Sequence, residues 1–568
     1  MTNLTGMRIK NIKISGGRIN SISLIFFLVL SFVINPGYGQ AVKAWHNSVV
    51  KPEEKTHPLP HIIEKDGRHA LLVDGQPFLI LGGQAHNSSG WPGMMPQVWS
   101  AIERMHANTL EVPIYWEQIE PQPGKFDFSM VDLLLKQGRE RKIHLVFLWF
   151  ATWKNGSNHY MPEWMKRDSK KYPNITDRNH KPVDSPSPHA MAALEADKKA
   201  FVEVMSYLKR ADPQHTVIMV QVENEPGAWD SIRDYSDEAQ KLFEDEVPAE
   251  LLRPEILKAL NTPNATEGSW QRVFGDNADE YFQAWSVANY VGAVAAAGKA
   301  VNQLPLYANV ALRDPLTNPG ASNYESGGAT DNAIPIWKVA APSIDLLAPD
   351  IYFPESDRAL KVMELYDRCD NPLFVPEIGS GEEYARYFYS MLAHGGIGFS
   401  PFGIDNNGKD PENRENDPAL IAVSREYAIA APMMRDLARW SFEGKIRSAV
   451  EREDHSEQKI ELDSWRSTIT FGDLKRGNHL TNSIPLGKAM IIQLGENEFI
   501  LTGTHCHFTF EPSGTNAGKA WQYLRVEEGT YENGSFKLLR IRNGDETDWG
   551  GPEIGPVPVI LHLILITR

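Results

Sequence analysis

Past residue 60, short apolar runs alternate with stretches whose apolar positions recur at helical spacing. The runs Phe78–Gln84, Thr109–Tyr115, His144–Phe150, Thr216–Glu223, Leu304–Val310, Leu346–Ile351, Leu373–Ile378 and Gly396–Phe402 predict eight strands. Between them, Val131–Arg141, Lys198–Lys209, Glu280–Val301 and Ser356–Tyr366 predict helices, and Pro418–Trp440 predicts one more after the last strand. Eight strand–helix repeats fit an α/β fold, a closed (β/α)8 TIM barrel over residues 65–440, with its working residues at the C-terminal strand ends. An open doubly wound sheet is the alternative, yet no Gly-rich phosphate loop follows the first strand. Long Pro-, Asn- and Trp-bearing insertions, 154–189 and 228–275, follow the third and fourth strands, where they would wall a pocket.

Beyond residue 441 the texture changes. Ser448–Glu453, Gln458–Leu462, Ser467–Phe471, Ala489–Gln493, Glu498–Leu501, His507–Phe510, Trp521–Val526 and Val557–Ile566 predict a smaller C-terminal all-β, sandwich-like domain over 441–568. At the other end, Arg8, Lys10, Lys13 and Arg18 precede the apolar run Ile22–Ile34, and Gly37 and Gly39 stand at −3 and −1 before Gln40. Residues 1–39 therefore read as a secretory signal peptide, too short in its apolar run to span a bilayer, and 40–64 as an extended lead-in. The expected location is secreted or periplasmic, with no membrane insertion after cleavage.

The formal charge of −16 repels phosphate backbones, so no nucleic-acid partner is expected. Two cysteines, Cys369 and Cys506, exclude a disulfide framework and a zinc site built from four cysteines. No phosphate loop, HExxH helix or G-x-S-x-G elbow is present, and His505-Cys-His507 reads as strand; neither a metal nor a cofactor is expected. Nothing in the sequence fixes the oligomeric state.

Two glutamates hold rim positions. Thr216-Val-Ile-Met-Val-Gln-Val-Glu-Asn-Glu-Pro-Gly227 puts Asn224-Glu225 at the end of strand four, and Leu373-Phe-Val-Pro-Glu-Ile378 puts Glu377 at the end of strand seven. Either alone reads as a solvated surface acid. Facing each other across a barrel mouth, they match the two carboxyls that glycoside hydrolysis needs, one protonated and one ionised.

Further segments carry a resemblance: Gly82-Gly83-Gln84-Ala85-His86, Trp99–Thr109, Trp116-Glu-Gln-Ile-Glu-Pro-Gln-Pro-Gly-Lys-Phe-Asp-Phe128 and Gln221-Val-Glu-Asn-Glu-Pro-Gly227. Over roughly residues 65–435 the chain resembles family 35 β-galactosidases and the related family 42, in the clan of retaining glycosidases. The resemblance implies Glu225 as acid/base, Glu377 as nucleophile, Asn224 as the partner of the sugar 2-hydroxyl, and Tyr352 as the tyrosine that orients the nucleophile. Two positions depart from the family pattern: Glu117 stands where Asn is usual, and Phe147-Leu-Trp-Phe-Ala-Thr-Trp-Lys154 replaces a Cys-Ala-Glu sequence. Glu117 reads as a hydroxyl ligand or a salt-bridged rim residue. Trp116, Trp149 and Trp153 are candidate stacking platforms, at least one of them read as core, and Asn309 and His86 are further pocket candidates. The expectation is a secreted retaining exo-β-galactosidase acting on a carbohydrate substrate. The alternatives are another β-glycosidase of the clan, such as a β-glucosidase or β-mannosidase, or a non-catalytic sugar-binding barrel.

Overall fold

Eight parallel strands close into a ring: β1 (Ile80–Gln84), β2 (Thr109–Tyr115), β3 (His144–Lys154), β4 (Val217–Asn224), β5 (Leu306–Ala311), β6 (Leu346–Ile351), β7 (Val375–Ile378) and β8 (Gly398–Pro401). Each pairs with its neighbours in sequence, and Gly398 of β8 sits beside Ile80 of β1 to complete the circle. The computed structural model describes residues 57–405, 418–475, 478–480, 484–532, 534–548 and 551–568. The signal segment 1–39 lies outside the described residues, as does the lead-in up to residue 56. All described residues belong to one compact unit, Thr56–Arg568.

Strands β2 and β4 are buried at every position, which explains their unbroken apolar runs: helices cover the outside while side chains fill the inside. The helices show the complementary pattern. Met191–Ala211 buries Leu194, Asp197, Phe201, Val204 and Leu208 along one stripe, so Asp197 is an acid on an apolar face. Helix Ala278–Val301 packs against it so closely that a Cβ on Gly298 would lie 2.3 Å from the Phe201 ring. Among the described residues no helix is long and apolar enough to cross a membrane.

Two expectations change. The end of the lead-in is not simply extended: His61–Lys65 pairs with Arg68–Val73, which pairs with Gln76–Phe78 in a three-stranded antiparallel sheet. Its Leu71, Val73 and Phe78 join Ile80, Ile218, Leu346, Phe374 and Ile397 in one apolar cluster, plugging the end of the barrel away from the rim. The positive-φ turns Asp66-Gly67 and Asp74-Gly75 make these tight hairpins possible. The helix over 418–440 is broken into Pro418–Ala430, a 3-10 turn Ala431–Met433 and Met434–Phe442, because Pro432 offers no N–H to continue the ladder.

Besides a two-stranded pair, 473–475 with 478–480, the C-terminal strands form two antiparallel sheets. One has six strands in the order 446–450, 488–495, 498–504, 560–567, 521–532 and 535–541; the other has four, 458–462, 465–471, 506–512 and 553–554. Residues from both sheets (Trp465, Ile469, Ile491, Leu501, Phe508 and Leu563 among them) share one core. The far face of the six-stranded sheet places Ile446, Met490, Ile492 and Ile500 in the barrel's own cluster, so these three strands are covered on both sides. A buried Lys488–Glu426 pair at 3.0 Å also ties the sheet to the barrel's helix Pro418–Ala430. Cys369 and Cys506 are both free thiols.

Candidate active site

The rim chemistry begins with backbone geometry at the end of β4. Glu223 and Glu225 both take left-handed φ angles, +64° and +43°, which cost a non-glycine residue about 1–3 kcal/mol each and persist only where the surroundings impose them. Here they do. The Glu223 carboxylate accepts from Trp153 N at 2.7 Å, and Glu225 N donates to Asn309 Oδ1 at 2.9 Å. The backbone kink turns Glu225 into the barrel mouth.

From β7, Glu377 meets it. One carboxyl oxygen from each of Glu225, Asp350 and Glu377 lies within 4.8 Å of the others. Glu377 accepts hydrogen bonds at both oxygens, from Gln84 Nε2 at 2.7 Å and from the Tyr352 hydroxyl at 2.5 Å. Tyr352 is half-exposed on the rim, and Gln84 comes from the buried end of β1. The register of β6 against β7 sets Asp350 directly beside Glu377. Asp350 accepts from Asn309 Nδ2 at 2.6 Å, so Asn309 bridges the backbone of one acid and the carboxyl of another.

Electrostatics separates the acids. Burial, then the charge of Glu377, pushes Glu225 up to about 7, against the pull of the Lys154 ammonium 4.0 Å away and a hydrogen bond with Asp350. Asp350 is raised well above its ordinary value by burial and then by Glu377 and Glu225. The three carboxyls are the one group among the described residues close enough to chelate a cation. The upward shifts of Glu225 and Asp350 relieve the same repulsion by retaining protons. Asn224, beside Glu225, is fully buried with neither amide atom paired, an orphaned donor and acceptor next to the acid.

Other expected site residues lie elsewhere. Trp116, Trp149 and Trp153 are fully buried, so no ring face is open to a sugar. Trp116 donates to Glu120 Oε2 at 2.9 Å, Trp149 to Asp197 Oδ1 at 2.9 Å, and Trp153 meets Tyr290 edge-on at 4.7 Å; they are scaffold. Glu117 takes the salt-bridge reading, with Lys166 Nζ at 3.5 Å. His86 stays on the rim, half-buried, its ring tilted against Phe402 and its backbone N–H donating to Asp405 Oδ1 at 2.9 Å.

Gln84, Lys154, Glu325 and Asp350 were not singled out from sequence. Asp350 and Tyr352 stand two apart, the spacing that puts strand residues on one face, so the acid could have been found from its neighbour. A lysine ending the apolar β3 run carries a similar signal.

Comparison with known proteins adds a sequence match across the first of the two carboxyls. Residues 90–296 match the family 42 glycoside hydrolase model described as Beta-galactosidase, and 423–551 match a model described as a domain of unknown function. Beta-galactosidase 11 of Arabidopsis thaliana is 27% identical over 124 residues, 19% of this chain and 14% of its own. A Beta-galactosidase of Xanthomonas manihotis is 25% identical over 166 residues, 28% of this chain and 25% of its own. The aligned segments thus span a quarter or less of these relatives. A solved β-galactosidase from Bacillus circulans sp. alkalophilus is similar over 63% of this chain and 57% of its own, at 16% identity and a TM-score of 0.44. The segment carrying Asn224 and Glu225 therefore matches the Beta-galactosidase family model, while Glu377 lies beyond the matched residues.

Proposed function

We propose that the chain is a secreted, retaining exo-β-galactosidase of the family 35 and family 42 type, removing terminal non-reducing β-D-galactosyl residues from oligo- or polysaccharides. The observation that carries this reading is the pairing of Glu225, pushed up to about 7, with Glu377, held at both oxygens by neutral donors, one oxygen of each lying within 4.8 Å of the other. Retaining enzymes need carboxyls about 5–5.5 Å apart, whereas inverting ones leave about 6.5–9.5 Å for a water molecule.

In the first step Glu377 attacks the anomeric carbon as Glu225 gives its proton to the departing oxygen. The glycosidic bond breaks and an ester to Glu377 forms. In the second, the Glu225 carboxylate takes a proton from water, whose oxygen attacks the same carbon and frees Glu377. Asn224 binds the 2-hydroxyl, a contact that strengthens in the transition state. The Tyr352 and Gln84 donors keep the attacking carboxylate aimed. Secretion rests on the n-region, apolar run and small-x-small site of residues 1–39.

A panel of aryl β-glycosides tests the reading, with NMR on the first anomer released. β-Galactoside turnover with retention supports it. Preference for β-glucosides or β-mannosides would move the sugar within the same clan, and no turnover of any glycoside would leave a sugar-binding barrel.

A further inference from the structure

Three rim segments enclose a second cleft on the Glu225 side of the mouth. Residues 177–179 belong to the insertion after β3, 228–232 to the loop after β4 and 321–324 to the loop after β5, and together they line about 300 Å³. A bridge joins the last two loops: Ala228 N donates to Ser326 O at 2.8 Å, and Ser326 N to Ala228 O at 3.0 Å. The Ser326 hydroxyl donates to Ile232 O at 2.7 Å, and the Tyr324 hydroxyl donates to Glu280 on helix Ala278–Val301. The cleft therefore has a fixed floor. Its open ring is Trp229, 47% exposed in a chain that buries Trp116, Trp149 and Trp153 completely. Tyr235 is no second platform, because the Arg233 guanidinium lies 3.9 Å over its ring. Trp229 is backed by a buried acid. A Cβ on Gly156 would stand 3.0 Å from Trp229 Cδ1 and 2.6 Å from Glu325 Oε1, so the indole edge and this carboxyl crowd the same spot above a glycine. Glu325 is 2% exposed, and burial, then Glu225, pushes it well above its ordinary value, which keeps it neutral.

Position gives the cleft its role. Glu225 and Trp229 are four residues apart, so their Cα atoms lie within about 14 Å, a gap that a short oligosaccharide spans. The proton that Glu225 gives up goes to the leaving oxygen, so the leaving group departs on the Glu225 side while the galactosyl ring stays on Glu377. An indole face covers the apolar C–H face of a pyranose, and a few placed polar groups fix its hydroxyls. Around Trp229 stand Asp177, Asn179, Asp230 and Ser322. Among the described residues lining the cleft the one cation is Arg178, already bonded to Asp279 and, at 2.7 Å, to the Tyr235 hydroxyl. Two carboxylates beside a cation that is already paired favour a neutral sugar over a uronate or a sulfated one. We propose that the Trp229 cleft is a leaving-group subsite, which takes neutral sugar units on the reducing side of the bond being cut and makes oligosaccharides, ahead of simple galactosides, the preferred substrates. The inference rests on the acid/base reading of Glu225.

The test compares leaving groups on the full chain. β-Galactosyl fluoride places no sugar beyond the bond, lactose places one ring there and β-1,4-galactotriose places two. Trp229→Ala should lower kcat/KM on galactotriose about tenfold more than on galactosyl fluoride, mainly through KM, with lactose between them. Trp229→Phe keeps a ring face, guards against a folding defect, and should lose no more than about threefold. A galactotriose whose reducing-end unit is a galacturonate should be split about fivefold less efficiently than galactotriose by wild type. Equal losses on the fluoride and the trisaccharide, which a merely structural role predicts, would overturn the subsite, as would no loss on either. Equal turnover of the acidic and neutral trisaccharides would overturn its preference for neutral sugars. A wild type that cleaves galactosyl fluoride yet not galactotriose would also overturn the subsite, and leaves the glycosidase reading standing. A wild type that cleaves neither the fluoride nor any nitrophenyl β-glycoside would overturn the glycosidase reading itself, and the subsite with it.

Discussion

Glu225 has an ammonium at 4.0 Å and a carboxylic acid bonded to it, whereas Glu377 accepts from an amide and a phenol. The backbones differ as well, with left-handed strain at the first and an ordinary strand residue at the second. The difference follows from the work each carboxyl does. A group that loses and regains a proton in every turnover sits among charges that set when it does so. A group that only offers an electron pair needs donors that fix its direction and carry no titrating charge near neutrality.

The largest expected effects break the pair itself. Glu377→Gln should lose several powers of ten in kcat on good and poor leaving groups alike, because no attacking group remains. Glu225→Gln should spare the first step on a nitrophenyl substrate and stall the second. KM should then fall together with kcat, and azide should restore turnover as a β-galactosyl azide. Azide rescue of Glu377→Gln to the retained azide, with Glu225→Gln inert, would exchange the two roles.

A smaller loss tests the neutral side. A hydrogen bond to a charged group contributes about 1.5–3 kcal/mol, so Tyr352→Phe should lower kcat about ten- to hundredfold. The alkaline limb of the kcat/KM–pH profile should stay where Glu225 sets it. A limb displaced by Tyr352→Phe as far as by Lys154→Met, which removes the ammonium beside Glu225, would erase the contrast between the two surroundings.

The charged side leaves its mark on stability. Folding raises Glu225 above the ordinary carboxylate range to about 7, so the folded chain binds more protons than the unfolded chain between those values. Stability from this group is complete below the ordinary range and is lost as pH rises through about 7. Melting curves from pH 5 to 8 should therefore fall more steeply for wild type than for Glu225→Gln. Parallel curves would mean that Glu225 titrates in the ordinary range. The smallest effect belongs to the scaffold: Trp116→Phe should lower Tm yet change KM less than twofold, since the buried indole touches no sugar.

Much of this contrast was legible in the chain, though unevenly. All eight barrel strands stand out because each is a short apolar run, and every expected start lies within two residues of the observed one. Glu225 and Glu377 stand out because acids at strand ends interrupt those runs. The tryptophans misled because a platform and a core filler are the same residue until neighbours are known; three-dimensional packing buried Trp116, Trp149 and Trp153. Lys154 and Glu325 were hidden for a related reason. They are 171 residues apart in sequence, and only closure of the barrel brings both beside Glu225. Strand Ser535–Ile541 was missed because it lies at a sheet edge and exposes Leu538, Leu539 and Ile541, which leaves no clean in–out alternation.

The most direct measurement traps the intermediate. A 2-deoxy-2-fluoro-β-galactosyl fluoride slows both steps but, through its reactive leaving group, lets the first outrun the second, so the sugar stays on the nucleophile. Peptide mass spectrometry of the treated chain should find one added 2-fluorogalactosyl group, on Glu377. A label on Glu225 or Asp350, or inactivation with no covalent label, would contradict the account.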